Sequence, residues 1–243
     1  MHEKQRLDQA LVARGLVSTR SQAESWIRLG KVFVEGKAIT KAGAAVRDDA
    51  RVELRAEEQY VSRAGLKLAS VAQKFKLDFR GKVVLDVGSS TGGFTDFALQ
   101  HGASKVIDVE VGKEQLHPSL RGHAKIELHE QTDIRDMQQL SSTPDIVVID
   151  VSFISLREIL PHVATLSGPQ TQIIAMVKPQ FEAASSNLKH KGVIKNDRIR
   201  REILKDFEVW AQPRFATLDK SDSDVAGAKG NLERFYKLRV AKP

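Results

Sequence analysis

The sequence predicts an α/β protein: a doubly wound parallel sheet following a small basic α+β module. Three observations predict this. From Lys82 onward, apolar runs of strand length alternate with amphipathic stretches of helix length, the pattern of βαβ units. Several of those runs, Ile146–Ile149 and Ile173–Val177 among them, are apolar at every position, as strands covered on both faces are. The stretch Met1–Arg47 differs in character, with nine Lys/Arg against four Asp/Glu and a local charge of +5.

Taken in order, Leu7, Ala10, Leu11 and Leu16 recur at helical spacing, and Gly15 closes that helix. Ser18 or Thr19 can cap a second helix with apolar positions Ala23, Trp26, Ile27 and Leu29, ended by Gly30. Val32–Val34 reads as a short strand turning at Glu35-Gly36, and Arg51–Arg55 alternates like another. This module, residues 1–55, is near the lower size limit for an independent fold. Residues 56–61 form a short polar linker, and residues 62–243 form the larger domain. It opens with an amphipathic helix over Ser62–Phe75. Strands are expected at Lys82–Val87, Lys105–Val109, Ile126–His129, Asp145–Ile149, Thr171–Val177, Arg214–Leu218 and Phe235–Val240. Helices are expected near Gly93–His101, Leu156–Thr165 and Asp197–Gln212.

The bulk properties exclude several function classes. Of 243 residues, 41% are hydrophobic, enough for a sizeable core. There is no cysteine, so disulfides, Cys-based zinc sites and thiol nucleophiles are excluded. The seven histidines show no metal-ligand spacing, and no metal is expected. No apolar run approaches a membrane span, and the N-terminus lacks the apolar stretch of a signal peptide, so a cytoplasmic protein is expected. The net charge of +7 favours a polyanionic partner.

The segment VVLDVGSSTGGFTD, Val83–Asp96, reads as a buried strand, a glycine-rich turn and a helix. Open α/β sheets bind ligands at such strand ends. The turn lacks the second glycine of the dinucleotide fingerprint, and no Gly-Lys-Ser/Thr follows to make a phosphate loop. An acid ending the first strand before a glycine turn is instead the pattern of S-adenosylmethionine enzymes. Asp86, Gly88, Ser89, Ser90, Thr91, Gly92 and Gly93 are the candidates around the amino-acid part of that cofactor. A second acid is needed for the ribose hydroxyls. Asp108 and Glu110 lie 22 and 24 residues beyond Asp86, with Glu110 preferred. Asp133, after the third strand, is placed to accept from the adenine amino group.

The segments VVLDVGSSTGGFTDFALQHGA, EVGKEQLHPSLR, PDIVVIDVSFISLREILP, MVKPQFEA and KGNLERF closely resemble the TlyA family of ribosomal RNA 2′-O-methyltransferases, often labelled haemolysin A. RLDQALVARGLVSTRSQAESWIRLGKVFVEGK resembles the small RNA-binding domain of ribosomal protein S-four. The resemblance spans nearly the whole chain. It implies a Rossmann-like, FtsJ-type methyltransferase domain and methyl transfer from S-adenosyl-L-methionine to the ribose of a cytidine in ribosomal RNA. It also implies a Lys-Asp-Lys-Glu catalytic set, matched here by Lys67, Asp150, Lys178 and Glu233. In the family, Lys178 would accept the proton, Asp150 and Glu233 would orient, and Lys67 would stabilise charge or position the ribose. One departure is Glu110, where the family usually has Asp.

The chemistry suits those residue types. A ribose hydroxyl is a poor nucleophile at neutral pH, and a desolvated lysine can take its proton or, when charged, stabilise the developing alkoxide. Base-nitrogen methylation usually carries Asn/Asp-Pro-Pro-Tyr/Phe after the fourth strand; Asp150-Val-Ser-Phe153 stands there instead. Pyrimidine C5 methylation of RNA typically uses a cysteine, which is absent. Arg6, Arg14, Arg20, Arg28, Lys31 and Lys37 are candidate phosphate contacts, with Arg20 and Arg28 foremost. Phe153, Phe181 and Phe235 are candidates for stacking on an extruded base. The expected partner is ribosomal RNA or a ribosomal subunit, with no DNA, membrane or obligate protein partner. The short stretch before Arg6 and the end soon after Arg239 lean toward the large subunit alone. The competing functions are a non-catalytic RNA-binding assembly factor and a membrane-active haemolysin.

Overall fold

The computed structural model describes residues 4–17, 20–28, 30–55, 60–183, 192–194, 196–227 and 230–241. Ser18, Thr19, Leu29 and linker residues 56–59 fall outside them.

The N-terminal module runs β1 (Lys4–Arg6), α1 (Leu7–Ala13), α2 (Arg20–Arg28), β2 (Val32–Val34), β3 (Lys37–Ala38), β4 (Ala45–Arg47) and β5 (Val52–Leu54). The hairpin turning at Glu35-Gly36 is present, and β5 pairs antiparallel with β2. The β1–β4 ladder was not anticipated; three-residue strands carry too little alternation to register as a period. Leu7, Leu11, Ala23, Trp26, Ile27 and Val32 form its buried face, as the helical spacing requires. Asp8 is fully buried and accepts from Arg6 Nε (3.0 Å), Arg6 Nη2 (2.9 Å) and Arg20 Nη2 (2.9 Å). The Arg6 hydrogen bonds, helped by Arg20, hold its carboxyl at about 2.

The larger domain runs α3 (Arg63–Ala72), β6 (Val83–Val87), α4 (Gly93–Gln100), β7 (Lys105–Glu110), β8 (Ile126–Glu130), a 3-10 turn (Ile134–Asp136), β9 (Ile146–Ile149), α5 (Leu156–Thr165), β10 (Gln172–Val177), α6 (Pro179–Glu182), α7 (Asp197–Ala211), β11 (Phe215–Asp222) and β12 (Arg234–Val240). Its seven-stranded sheet has the order β11-β12-β10-β9-β6-β7-β8. The ladders from β10 through β8 are parallel, and β12 enters antiparallel between β10 and β11. The predicted doubly wound sheet is therefore observed. Side chains alternate across it: Val84, Val106, Val148 and Met176 pack under α3 and α4, while Leu85, Ile107, Val147 and Ala175 pack under α5 and α7.

The chain leaves β6 toward β7 on one side and returns to β9 on the other. That reversal opens a crevice at the carboxyl ends of β6 and β9, where ligands bind in such sheets. The last linker residues belong to the packed structure. Tyr60 is buried with its ring 5.4 Å from Phe97, its carbonyl accepts from Gln22 Nε2 (2.6 Å), and Val61 N donates to Asp96 Oδ2 (2.7 Å). No helix among the described residues is long and apolar enough to cross a membrane.

Candidate active site

The turn after β6 needs a glycine at its first position. Gly88 has φ +79°, and a Cβ there would lie 3.1 Å from the carbonyl oxygen of Asp150 and from Val151 Cγ1. The backbone can thus pass close to β9 and leave a cavity of about 410 Å³ beside it, lined by Gly88, Ser90, Glu110, Asp133, Asp150 and Phe153. This volume falls in the range of small-molecule sites. A smaller space of about 130 Å³ continues past Asp86, Ser89 and Thr91 to Lys178. Gly92 and Gly93 line neither space. Gly93 is where α3 crosses α4, and a Cβ on it would run into Ser62 Oγ and Ala64.

The two acids considered for a ribose are placed differently. Asp108 is fully buried in β7, in register with Asp86 on β6. Glu110 ends β7 at the cavity wall, where its Oε2 accepts from Ser90 N (2.9 Å) and its Oε1 from Gly112 N (2.7 Å). Asp133 caps the 3-10 turn and accepts from Arg135 N, Nε and Nη2, so its carboxylate stands at the wall as an anion, held below the usual carboxylate range.

Asp86 and Asp108 share Thr95, whose Oγ1 lies 2.7 Å from Asp86 Oδ2 and 2.5 Å from Asp108 Oδ1. One hydroxyl has one hydrogen, so both contacts are hydrogen bonds only when one acid keeps its proton. Burial, with the neighbouring Asp108 carboxylate, pushes Asp86 well above the ordinary carboxylate value; burial pushes Asp108 up to about 7. Asp86 Oδ1 is buried without a hydrogen-bond partner among the described residues. An orphaned acid oxygen in an acidic pocket suits a bound cation, and S-adenosylmethionine carries an ammonium and a sulfonium. These acceptors could hold that group, with Asp86 toward an amino-acid end, Glu110 toward a ribose and Asp133 toward an adenine amine.

A third cavity, of about 390 Å³, is lined by Lys67, Phe153, Lys178, Phe181 and Glu233, among others. Four elements bring its charged groups together with Asp150, which lines the two cavities beside it. Ser62 caps α3 by accepting from Ala64 N, which starts the helix that carries Lys67. Asp150 follows β9, and Lys178 follows the neighbouring strand β10. Glu233 precedes β12, whose antiparallel direction starts it at the same sheet end, with Arg234 opposite Val177. Lys178 Nζ sits 2.5 Å from Asp150 Oδ1, and Lys67 Nζ sits 2.6 Å from Glu233 Oε2. Both contacts are ion pairs by distance without the angular alignment of hydrogen bonds. Both lysines and Glu233 are buried. The four residues named by the resemblance are thus two lysine–carboxylate pairs in one place. Ser152, which accepts from Lys178 Nζ (2.8 Å), lines all three cavities.

Asp150 does not cap α5. Ser155 does, accepting from Arg157 N, while buried Glu182 accepts from Leu156 N (2.7 Å) and Ser155 Oγ (2.7 Å). Glu182 thereby ties the start of α5, after β9, to α6, which follows β10. Phe153 is 91% exposed and has φ +67°, a backbone region that a bulky residue enters at a cost of about 1–3 kcal/mol. Its ring is 5.1 Å from that of Phe181. Phe235, in contrast, is fully buried in β12 against Phe94, so it cannot stack on a base.

The basic module needs one correction. Arg14 is not available to phosphate: its guanidinium donates to the carbonyls of Ala50 (2.6 Å), Asp48 (2.8 Å) and Arg47 (3.2 Å), stapling the loop before β5. Arg6 and Arg20 are both pinned by Asp8 and remain about half exposed. Arg28, Lys31 and Lys37 are exposed. Ser152, Gln180, Glu182 and Asn231 were not singled out from the sequence. The run Lys178-Pro-Gln-Phe-Glu182 was the available signal for two of them.

Two family models match the chain. Residues 60–239 match the FtsJ-like methyltransferase family, and residues 5–52 match the S4 domain. A Bacillus subtilis protein provisionally named rRNA methyltransferase YqxC is 38% identical over 236 residues, covering 95% of this chain and 84% of that one. The 16S/23S rRNA (cytidine-2′-O)-methyltransferase TlyA of Mycobacterium tuberculosis is 34% identical over 245 residues, covering 99% and 91%. The solved structure of a Streptococcus thermophilus protein provisionally named a hemolysin is 34% identical with TM-score 0.72, covering 100% of this chain and 90% of that one. The chain belongs to the FtsJ-like methyltransferase family and, within it, to the TlyA proteins that carry an N-terminal S4 domain.

Proposed function

We propose that this chain transfers a methyl group from S-adenosylmethionine to the ribose 2′-hydroxyl of a cytidine in ribosomal RNA, with the large subunit as the favoured source because the TlyA proteins of Mycobacterium tuberculosis and Campylobacter jejuni are both named for 23S rRNA. One observation carries the reading: Lys67, Lys178 and Glu233 line one cavity, Asp150, paired with Lys178, lines the nucleoside-sized cavity, and the two cavities meet at Ser152 and Phe153. An acceptor oxygen at that junction is within reach of both a base and a methyl donor. When bound, S-adenosylmethionine supplies a methyl carbon made electrophilic by its sulfonium.

The chain's own residues do the rest. Asp86 Oδ1 supplies the counter-charge to the cofactor's ammonium, and Glu110 and Asp133 orient the nucleoside half. Lys178, once deprotonated, accepts the 2′-hydroxyl proton at Nζ, and Asp150 holds that amine in line. Lys67, set by Glu233, offers a positive charge to the developing oxyanion. Phe153 stacks on the base of an extruded nucleotide; its exposed, left-handed placement lowers fold stability and is accounted for by a substrate contact. Arg6, Arg20, Arg28 and Lys31 contact phosphates and position the RNA without reading its sequence. Acting on ribosomal RNA, the protein works in the cytoplasm.

The test is transfer of labelled methyl groups from S-adenosylmethionine to purified ribosomal subunits. The wild type labels RNA in the large subunit, and K178A loses at least about 100-fold in kcat with cofactor affinity kept. Near-normal turnover by K178A removes Lys178 from its role.

A further inference from the structure

The cavity holding the two lysines has a wall that the methyl-transfer chemistry does not use. It is built from Gln180 and Phe181 of α6 and from Asn231 before β12. Gln180 Oε1 is buried and accepts no hydrogen bond from any described residue. Buried carbonyl oxygens are nearly always paired, so an orphan beside a catalytic lysine points to a missing donor. Asn231 is held in a single orientation. Its Oδ1 accepts from Ile194 N (2.8 Å), and its backbone carbonyl accepts from Gly227 N (2.9 Å). The Asn231 amide nitrogen is therefore the end left to donate, and no described residue accepts from it.

We infer that this wall is the base-reading subsite for the acceptor nucleotide, and that Gln180 and Asn231 select a base edge bearing an amino donor beside a ring acceptor, as cytosine does. The inference rests on the proposed function, because it requires a nucleotide whose ribose is presented to Lys178. Gln180 Oε1 accepts from the exocyclic amine, and the Asn231 amide donates to a ring nitrogen or carbonyl. The exposed Phe153 ring, 5.1 Å from that of Phe181 and tilted 46° to it, supplies an apolar face on which a base stacks with its edge toward Gln180. Uracil would set a carbonyl against Gln180 Oε1, acceptor against acceptor in a buried place. A side-chain amide can turn to suit either edge. Gln180 alone would therefore discriminate weakly, and the fixed Asn231 donor makes the pattern one-sided. Lys178 Nζ lies 5.9 Å from the Phe181 ring centroid, so the base and the reacting hydroxyl share one cavity.

The test uses short RNAs that differ only at the target nucleotide: cytidine, uridine, or the 2-pyrimidinone ribonucleoside that lacks the 4-amino group. Wild-type protein should favour cytidine over either by about tenfold or more in kcat/KM, as expected for one misread base edge. Q180M, close in size and without the carbonyl, should lose about tenfold on cytidine and no more than about twofold on 2-pyrimidinone, with cofactor affinity unchanged. That non-additivity is specific to a direct contact, because a misfolded variant would lose equally on both. Equal losses on both RNAs, or a cytidine preference that survives Q180M intact, would overturn the inference and leave the methyl-transfer reading standing. Absence of ribose methylation by the wild type on every RNA would overturn that reading itself.

Discussion

Replacing Asp108 by Asn should stabilise this protein at alkaline pH and leave it unchanged in acid. Asp108 sits in the core with a pKa raised to about 7, while in the unfolded chain it titrates near 3.8. The sign follows from proton counting. Between those values the folded state keeps a proton that the unfolded state has released, so stability is greatest below about pH 4 and falls as pH rises. Each pH step of one costs about 1.4 kcal/mol, which caps the loss at about 4 kcal/mol by pH 7, beyond which the curve is flat. Asparagine removes the ionisable group and keeps the geometry. Its amide can donate to Thr95 Oγ1, which frees the Thr95 hydrogen for Asp86 Oδ2. Urea unfolding should therefore show D108N gaining up to about 4 kcal/mol at pH 8 and nothing at about pH 3, below the unfolded-state value. The Asn side chain leaves Asp86 to ionise alone, so cofactor binding should survive in D108N. An equal gain at both pH values, or a loss at pH 8, would refute the proton-sharing account.

Other outcomes follow from the same structure. D86N should weaken S-adenosylmethionine binding on the order of 100-fold by calorimetry, since it removes a buried counter-charge. In the wild type that binding should strengthen with pH and release a proton, because the cofactor's cation favours the ionised form of an acid held well above its ordinary value. F153G should raise thermal stability by about 1 kcal/mol, because Phe153 covers no core and stands at φ +67°. The same variant should lower RNA methylation. R14A should destabilise the N-terminal module by about 2 kcal/mol through three lost carbonyl contacts, without altering the salt dependence of RNA binding. R28A should reduce that salt slope by about 1 without destabilising the fold.

What the sequence conveyed depended on the range of the interaction. The sheet was legible because apolar runs such as Ile146–Ile149 report local burial, and the Gly88 turn because a strand–glycine–helix junction is local as well. The Lys67–Glu233 pair is a different case. It joins residues 166 positions apart, on a helix and before an antiparallel strand, and no periodicity encodes that meeting. Only the family resemblance proposed it. Arg14 was misread because a positive charge in a sequence does not reveal whether carbonyls already occupy it. Phe235 was misread because strand alternation gives a side chain's face and not what covers that face. Asp108 and Glu110 point the same way on β7, two residues apart, and only the parallel register with β6 puts the first in the core and the second at the cavity. Gln180 and Asn231 lie inside two segments that carry the family resemblance, yet nothing in those segments tells whether an amide is solvated or aimed into a site.

The proposed reaction turns on a ribose oxygen as the acceptor atom. Ribosomal RNA treated with this protein and S-adenosylmethionine can be digested to nucleosides and mapped by mass spectrometry. A 2′-O-methyl group also blocks alkaline cleavage at its own linkage. The account predicts a single new 2′-O-methylcytidine, resistant to alkali and absent with K178A. A methyl group on a base, or methylation that persists in K178A, would contradict it.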